Sequence, residues 1–219
     1  MSCIGRSNRL QCGLSIPGHV PGFYLLFPGG AMKREIKTGT YLYPMPTTLV
    51  GAMVDGKPNY MVAAYVGIMN FRPAVISAAL NKHHHTTAGI LDTKTFSVNI
   101  PPAGSVVKTD YCGLVSGKSV DKSSLFTPFF GKLKTAPLIE ECPLNFEVSL
   151  LQTIEFAIDI AFIGEIVSVF CDDACLTDGL PDIEKIDPII FAMGENRYFS
   201  LGDFIGKAWG IGNELKGKS

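Results

Sequence analysis

Residues 156–170, Phe-Ala-Ile-Asp-Ile-Ala-Phe-Ile-Gly-Glu-Ile-Val-Ser-Val-Phe, decide the fold. Their even positions hold Phe156, Ile158, Ile160, Phe162, Gly164, Ile166, Ser168 and Phe170, and the odd ones Ala157, Asp159, Ala161, Ile163, Glu165, Val167 and Val169. Side chains alternate faces along a strand, so this two-residue period with many β-branched residues predicts one long strand, with a helix as the weaker alternative. Asn145–Ile154, just upstream, is the expected antiparallel neighbour.

Working outward, Thr48–Val54 and Tyr60–Gly67 flank Asp55-Gly56-Lys57-Pro58-Asn59, where the Asp-Gly pair supplies the positive φ angles of a hairpin turn. Ala74–Leu80 is a small, apolar run with the length of a strand buried on both faces. It leads through Asn81–Thr87 into Ala88–Asp92, a short helix for which Thr86 or Thr87 is the expected N-cap. Phe96–Ile100 is a strand stopped by Pro101-Pro102, and Val106–Leu114 has helical composition before the Ser116-Gly117-Lys118 loop. Ile189–Met193 and Arg197–Ser200 flank a turn at residues 194–196, and Leu201–Trp209 is expected as a terminal helix. Many short strands with few helices between them predict a mainly β, antiparallel barrel or sandwich. A doubly wound parallel sheet would need longer crossover helices.

Composition narrows the function. In a chain of 219 residues, 47% are hydrophobic and 18% charged, below the roughly 25% charged of an average soluble domain, so a large core is available. Nineteen basic and 20 acidic side chains leave a net charge of −1, which gives no footprint for nucleic acid. No stretch reads as a membrane span: Asp159 and Glu165 interrupt residues 156–171, and Pro17, Pro21 and Pro28 interrupt residues 14–32. The six cysteines are scattered without a secretory signal, predicting reduced thiols and a cytoplasmic setting. Residues 1–31, rich in Gly and Pro, are expected to be an irregular extension, with 32–219 as the folded domain. Met32-Lys33-Arg34 also reads as an alternative translation start.

Catalysis by a nucleophile and base is hard to build here. Outside the extension the only histidines are His83, His84 and His85, and there is no Gly-x-Ser-x-Gly or His-Glu-x-x-His motif. No catalytic side chain and no metal site are therefore expected, and a bound cofactor would have to supply any reactivity. The histidine triplet reads three ways. As a metal site it is limited, since on a strand only His83 and His85 share a face. It also reads as a solvated loop. The third reading is an anion site, because Asn81, Lys82 and the histidines lie between a buried strand and a helix start, with Thr86 as a hydroxyl donor. On the preceding strand, Tyr60-Met61-Val62-Ala63-Ala64-Tyr65 combines aromatic faces with small residues, as an ordinary core strand or as a platform for a flat ring. Cys112 has no second cysteine at useful spacing and reads as a structural thiol.

Several motifs then fall in a recognisable order: Lys57-Pro58-Asn59-Tyr60-Met61, Tyr65-Val66-Gly67, Arg72-Pro73, Asn81-Lys82, His84, Thr86, and Phe96–Pro101. Asp110–Gly117 with Val120-Asp121-Lys122, Ala136–Pro143 and Phe162–Ile166 follow. Together they resemble the flavin reductase-like family, in particular its flavoredoxin branch, over roughly residues 35–210. The resemblance implies an FMN-binding split β-barrel of antiparallel, Greek-key type with a few short helices. It implies noncovalent FMN and a homodimer, with NAD(P)H or a redox partner protein as the electron source. By position, Asn59 and Tyr65 would lie beside the flavin, the Met61–Ala64 backbone (Met61, Val62, Ala63, Ala64) would run along the ring, and Thr86 would bind the phosphate. Asn81, Lys82 and His84 would form the phosphate-side loop, and Lys122 a further polar contact. Relatives tend to have tryptophan at Tyr65 and threonine at Val62, which implies weaker stacking and one hydroxyl contact fewer. A flavoredoxin-type carrier, a flavin reductase and a non-catalytic flavin store all fit this reading.

Overall fold

A computed structural model describes residues 24–27, 30 and 32–216. The chain divides between Thr40 and Tyr41 into two units. In the first, Tyr24–Leu26 pairs antiparallel with Met32–Arg34. The expectations for residues 1–23 lie outside the described residues.

The second unit is built on one antiparallel sheet of seven strands, β1 (Thr48–Val54), β2 (Lys57–Ala63), β3 (Val66–Asn70), β4 (Val75–Asn81), β5 (Thr95–Ile100), β6 (Leu144–Glu155) and β7 (Asp159–Cys171). Their order is β2-β1-β5-β6-β7-β4-β3. Consecutive strands β2 and β3 thus occupy opposite edges, yet only Ala64 and Tyr65 join them. Two residues span less than about 10 Å, so the sheet must curl until its edges meet. Met61 and Ala63 from one edge accordingly share a buried cluster with Ile76, Ala78 and Leu80 from near the other, together with Val98, Val148 and Phe162. No ladder seals β2 to β3, and the result is a barrel split along that seam.

The expected long strand and its neighbour are β7 and β6, paired Glu155↔Ile160 through Leu144↔Cys171. The strand starts at Asp159 rather than Phe156, because residues 156–158 form the hairpin turn, closed by the Phe156 N–H donating to the Asp159 carbonyl at 2.9 Å. The β1–β2 hairpin turns at Asp55 and Gly56 (φ 49° and 75°), both in the left-handed region that a tight two-residue loop requires. Its second strand, expected to run through Gly67, instead breaks at Ala64-Tyr65, where the chain crosses from one edge to the other.

Helix α1 (His85–Thr93) lies between β4 and β5, and helix α2 (Val106–Leu114) follows β5. Neither Thr86 nor Thr87 caps α1. His84 holds the N-cap position without a side-chain bond, and both threonines sit buried in the first turn. Asn81 takes over the ordering role: its side-chain oxygen accepts from His83 N–H, and its carbonyl accepts from His84 N–H and the Thr87 hydroxyl. The expected helix at Leu201–Trp209 is absent, and among the described residues the nearest helical turn is a short one at Ile211–Leu215. Gly202 and Gly206 weaken that stretch, and Phe204 and Ile205 are 74% and 90% exposed. A short helix gains its stability from burying a face, and this one has none to bury.

Candidate binding site

Alternation along β2 splits its side chains between two environments. Tyr60 is fully buried in a second core cluster with Leu49, Cys112 and Phe126, and its hydroxyl donates to the Leu138 carbonyl at 3.2 Å. Asn59, Met61 and Val62 instead border a cavity of about 450 Å³, within the roughly 300–1,000 Å³ of small-molecule sites. The start of α1 (His84, His85, Thr86) forms its second wall. The last turn of α2 with the following loop (Cys112–Gly117) and Lys122 form the third. An adjoining space of about 340 Å³ shares Asn59, His85, Gly117 and Lys122 and extends past Lys57, Lys118 and Asp121. Another, of about 200 Å³, shares Met61, Val62 and His84 and reaches Ala63, Ala64, Tyr65, Asn81, Asp159 and Met193.

Hydrogen bonds fix the polar wall. The Asn59 amide donates from Nδ2 to Thr86 Oγ1 at 2.7 Å, tying β2 to the first turn of α1. Lys122 is only 4% exposed, and its Nζ donates to the carbonyls of Cys112 (3.2 Å) and Val115 (3.3 Å), which are acceptors left over at the C-terminal end of α2. Among the described residues Lys122 makes no ion pair. Burial lowers its pKa, partly offset by the nearby Cys112 thiol, while burial pushes that thiol up to about 11. Cys112 is therefore a neutral wall group at pH 7. His84 is lowered from the ordinary imidazole value, by partial burial first and then by the Lys122 charge. Nearby, Lys57 pairs with Asp121 at 2.8 Å, holding that carboxyl well below the usual range and clasping the loop to β2.

Two glycines set how closely the walls approach. A Cβ on Gly117 would fall on Asn59 Oδ1 and 2.8 Å from the His85 ring, and one on Gly113 would lie 2.6 Å from Val62 Cγ1. This donor set suits an elongated ligand with an anionic end and an apolar body. A buried ammonium without a carboxylate and the positive end of α1 favour the anion. Met61, Val62, Ala63 and Ala64 offer an apolar edge.

The fold thus brings Asn59, Met61, Val62, His84, Thr86 and Lys122 to one cavity, with Ala63, Ala64, Tyr65 and Asn81 on the adjoining one. Lys82 goes elsewhere: its Nζ pairs with Glu155 at 3.1 Å, and it lines none of these three spaces. Tyr65 directs its hydroxyl to Met193 Sδ at 2.9 Å. The wall at Cys112–Gly117 was not singled out from sequence as a binding element. Its signal was the pair of small residues, Gly113 and Gly117, bracketing a helix end.

Residues 40–194 match the family model described as the flavin reductase like domain. Flavoredoxin from Methanosarcina acetivorans is 46% identical, with a TM-score of 0.83 over 84% of this chain and 100% of that one. Flavoredoxin of Desulfovibrio vulgaris (Miyazaki F) is 39% identical, with a TM-score of 0.78 over 83% of this chain and 100% of that one. An uncharacterized protein of Archaeoglobus fulgidus is 33% identical over 159 residues, 71% of this chain and 88% of its own length.

Proposed function

The chain belongs to the flavin reductase-like family, and from that premise we propose that it binds FMN in the cavity between β2, α1 and α2 and serves as a flavin-based redox protein. The observation that carries this is the cavity's polar wall, where the Asn59–Thr86 pair, the start of α1 and the buried Lys122 surround one space bordered by apolar β2 residues. FMN held there would supply the electron-carrying chemistry.

The protein's own groups hold and shield that cofactor. Thr86 and the first-turn amides of α1 offer donors to the phosphate, and Lys122 offsets its charge from within the wall. Met61 to Ala64 exclude water from one edge of the ring. Tyr65, Asn81 and His84 would border the space that continues from that edge. Flavoredoxin-type electron transfer and NAD(P)H-dependent flavin reduction both suit this arrangement, and no side chain is asked to act as a nucleophile.

Three broader features belong to the proposal. The working form is a homodimer: Ile68, Met69 and Phe71, on and beside edge strand β3, are 67%, 56% and 80% exposed, more apolar surface than an edge strand usually leaves to water. The cellular setting is cytoplasmic, in keeping with Cys112 and Cys142 as buried free thiols. Among the described residues no helix is long and apolar enough to cross a membrane. Residues 1–31 act as an extension, and the flavin domain expected at 32–219 has its sheet and cavity in the unit from Tyr41 onward.

An absorption spectrum of the purified protein, followed by anaerobic mixing with NADH and NADPH, tests the reading. Flavin bands that bleach rapidly with a nicotinamide donor are expected of a reductase, and bands that bleach only with a protein donor are expected of a carrier. A colourless protein that takes up no added FMN would overturn the proposal.

A further inference from the structure

Thr86 is 1% exposed and lies on the cavity wall. Its hydroxyl oxygen accepts from Asn59 Nδ2 at 2.7 Å, and among the described residues no protein group accepts its proton. A buried hydroxyl seldom leaves its proton unused. Because the Asn59 N–H already occupies the oxygen, the proton is left for an acceptor within the cavity.

The other end of the Asn59 amide is equally constrained. Asn59 is 6% exposed, and Gly117 approaches its Oδ1 so closely that a Cβ there would overlap it. The side chain is therefore confined between α1 and the loop after α2, with its NH₂ bonded to Thr86 and its oxygen on the side of Gly117.

We propose that Asn59 is a positioning residue that acts through Thr86, fixing that hydroxyl as a donor to the phosphate end of the cofactor rather than contacting the ring. This rests on the FMN reading above. Asn59 was expected from its sequence position to lie beside the flavin, and the bond to Thr86 gives it a different task. An aspartate at 59 would reverse the arrangement: a carboxylate accepts, so the Thr86 proton would turn back to residue 59 and be lost to the ligand, while the added negative charge repels an anion.

Binding of FMN and of riboflavin, which lacks the phosphate, is to be compared in wild type, Asn59→Asp, Asn59→Ala, Thr86→Val and the Asn59→Ala/Thr86→Val double variant. Loss of a charge-assisted hydrogen bond corresponds to roughly tenfold or more in affinity, so each single variant should weaken FMN by at least about that factor. Riboflavin affinity should change by less than about threefold, which also reports that the cavity is intact. In the Thr86→Val background, Asn59→Ala should cost little more, because there is no hydroxyl left to orient. Equal losses for the two ligands, or additive losses in the double variant, would overturn the positioning role while leaving FMN binding standing. Failure of wild type to bind either ligand would instead remove the reading beneath it.

Discussion

Lys122 shows how one buried charge ties ligand affinity to pH. Burial makes its ammonium easier to deprotonate than an ordinary lysine, whose pKa is about 10.4, and a bound anion pulls the other way. In the apoprotein the folded pKa lies below the unfolded one, so this group penalises folding at neutral pH, and the penalty is relieved as pH rises through the window below 10.5. Cys112 works in the opposite sense, since its folded value of about 11 exceeds the ordinary thiol value and its contribution is lost as pH rises. The lysine's share is therefore read as the difference between wild type and Lys122→Met. FMN affinity should decline as pH is raised toward 10.5 in wild type. In Lys122→Met it should be weaker throughout, by roughly tenfold at pH 7.5, and nearly flat with pH over that range. Fluorescence titration at stepped pH measures both, and a wild-type curve as flat as the variant's would remove Lys122 from the anion's surroundings.

At the scale of elements, α2 comes close to β2 at Gly113. Alanine is favoured over glycine inside a helix by about 1 kcal/mol, so Gly113→Ala should stabilise if only α2 mattered. The added Cβ would lie 2.6 Å from Val62 Cγ1, and a β-branched valine on a strand has little rotamer freedom to yield. The expected result is no gain in thermal stability and weaker FMN binding, both relieved in the Gly113→Ala/Val62→Ala double variant; a stabilised single variant with unaltered affinity would contradict it. Elements of this kind were unevenly legible in the sequence. Thr48–Val54 and Val106–Leu114 can be bounded from the sequence because Asp55-Gly56 dictates a turn and residues 115–118 dissolve a helix, both local effects. The N-cap of α1 could not be assigned that way, since Asn81, three residues before His84, organises the turn through its carbonyl and side chain. Nor could the 112–117 wall, which becomes part of the site only when α2 packs on β2. The failed helix at 201–209 has the same origin: periodicity reports a face, and only the folded molecule says whether anything meets it.

For the whole molecule, the consequential feature is the Ala64-Tyr65 link between opposite edges of the sheet. The strand ends on either side are pinned, with the Thr48 hydroxyl donating to the Ala63 carbonyl at 2.8 Å and Ala79 N–H donating to the Tyr65 carbonyl at 2.9 Å. Because no ladder joins β2 to β3, this two-residue tether and the shared apolar cluster are what hold the seam shut. The seam matters for the ligand, since Met61 to Tyr65 on one side and Leu80, Asn81 and His84 on the other border the same space. Inserting Gly-Ser-Gly-Ser between Ala64 and Tyr65 would lengthen the link about threefold, and loop-closure entropy makes that worth only about 1 kcal/mol of stability. The tether's geometric role is larger, because a slack link lets the edges separate where the ring is to be held. Thermal melting should therefore shift by only a few degrees, while FMN affinity falls roughly tenfold or more. Should the insertion leave affinity untouched, the seam would be held by packing alone and the tether would be a mere connection. Should the protein instead fail to fold, the link would be part of the barrel's closure rather than a adjustable strap across it.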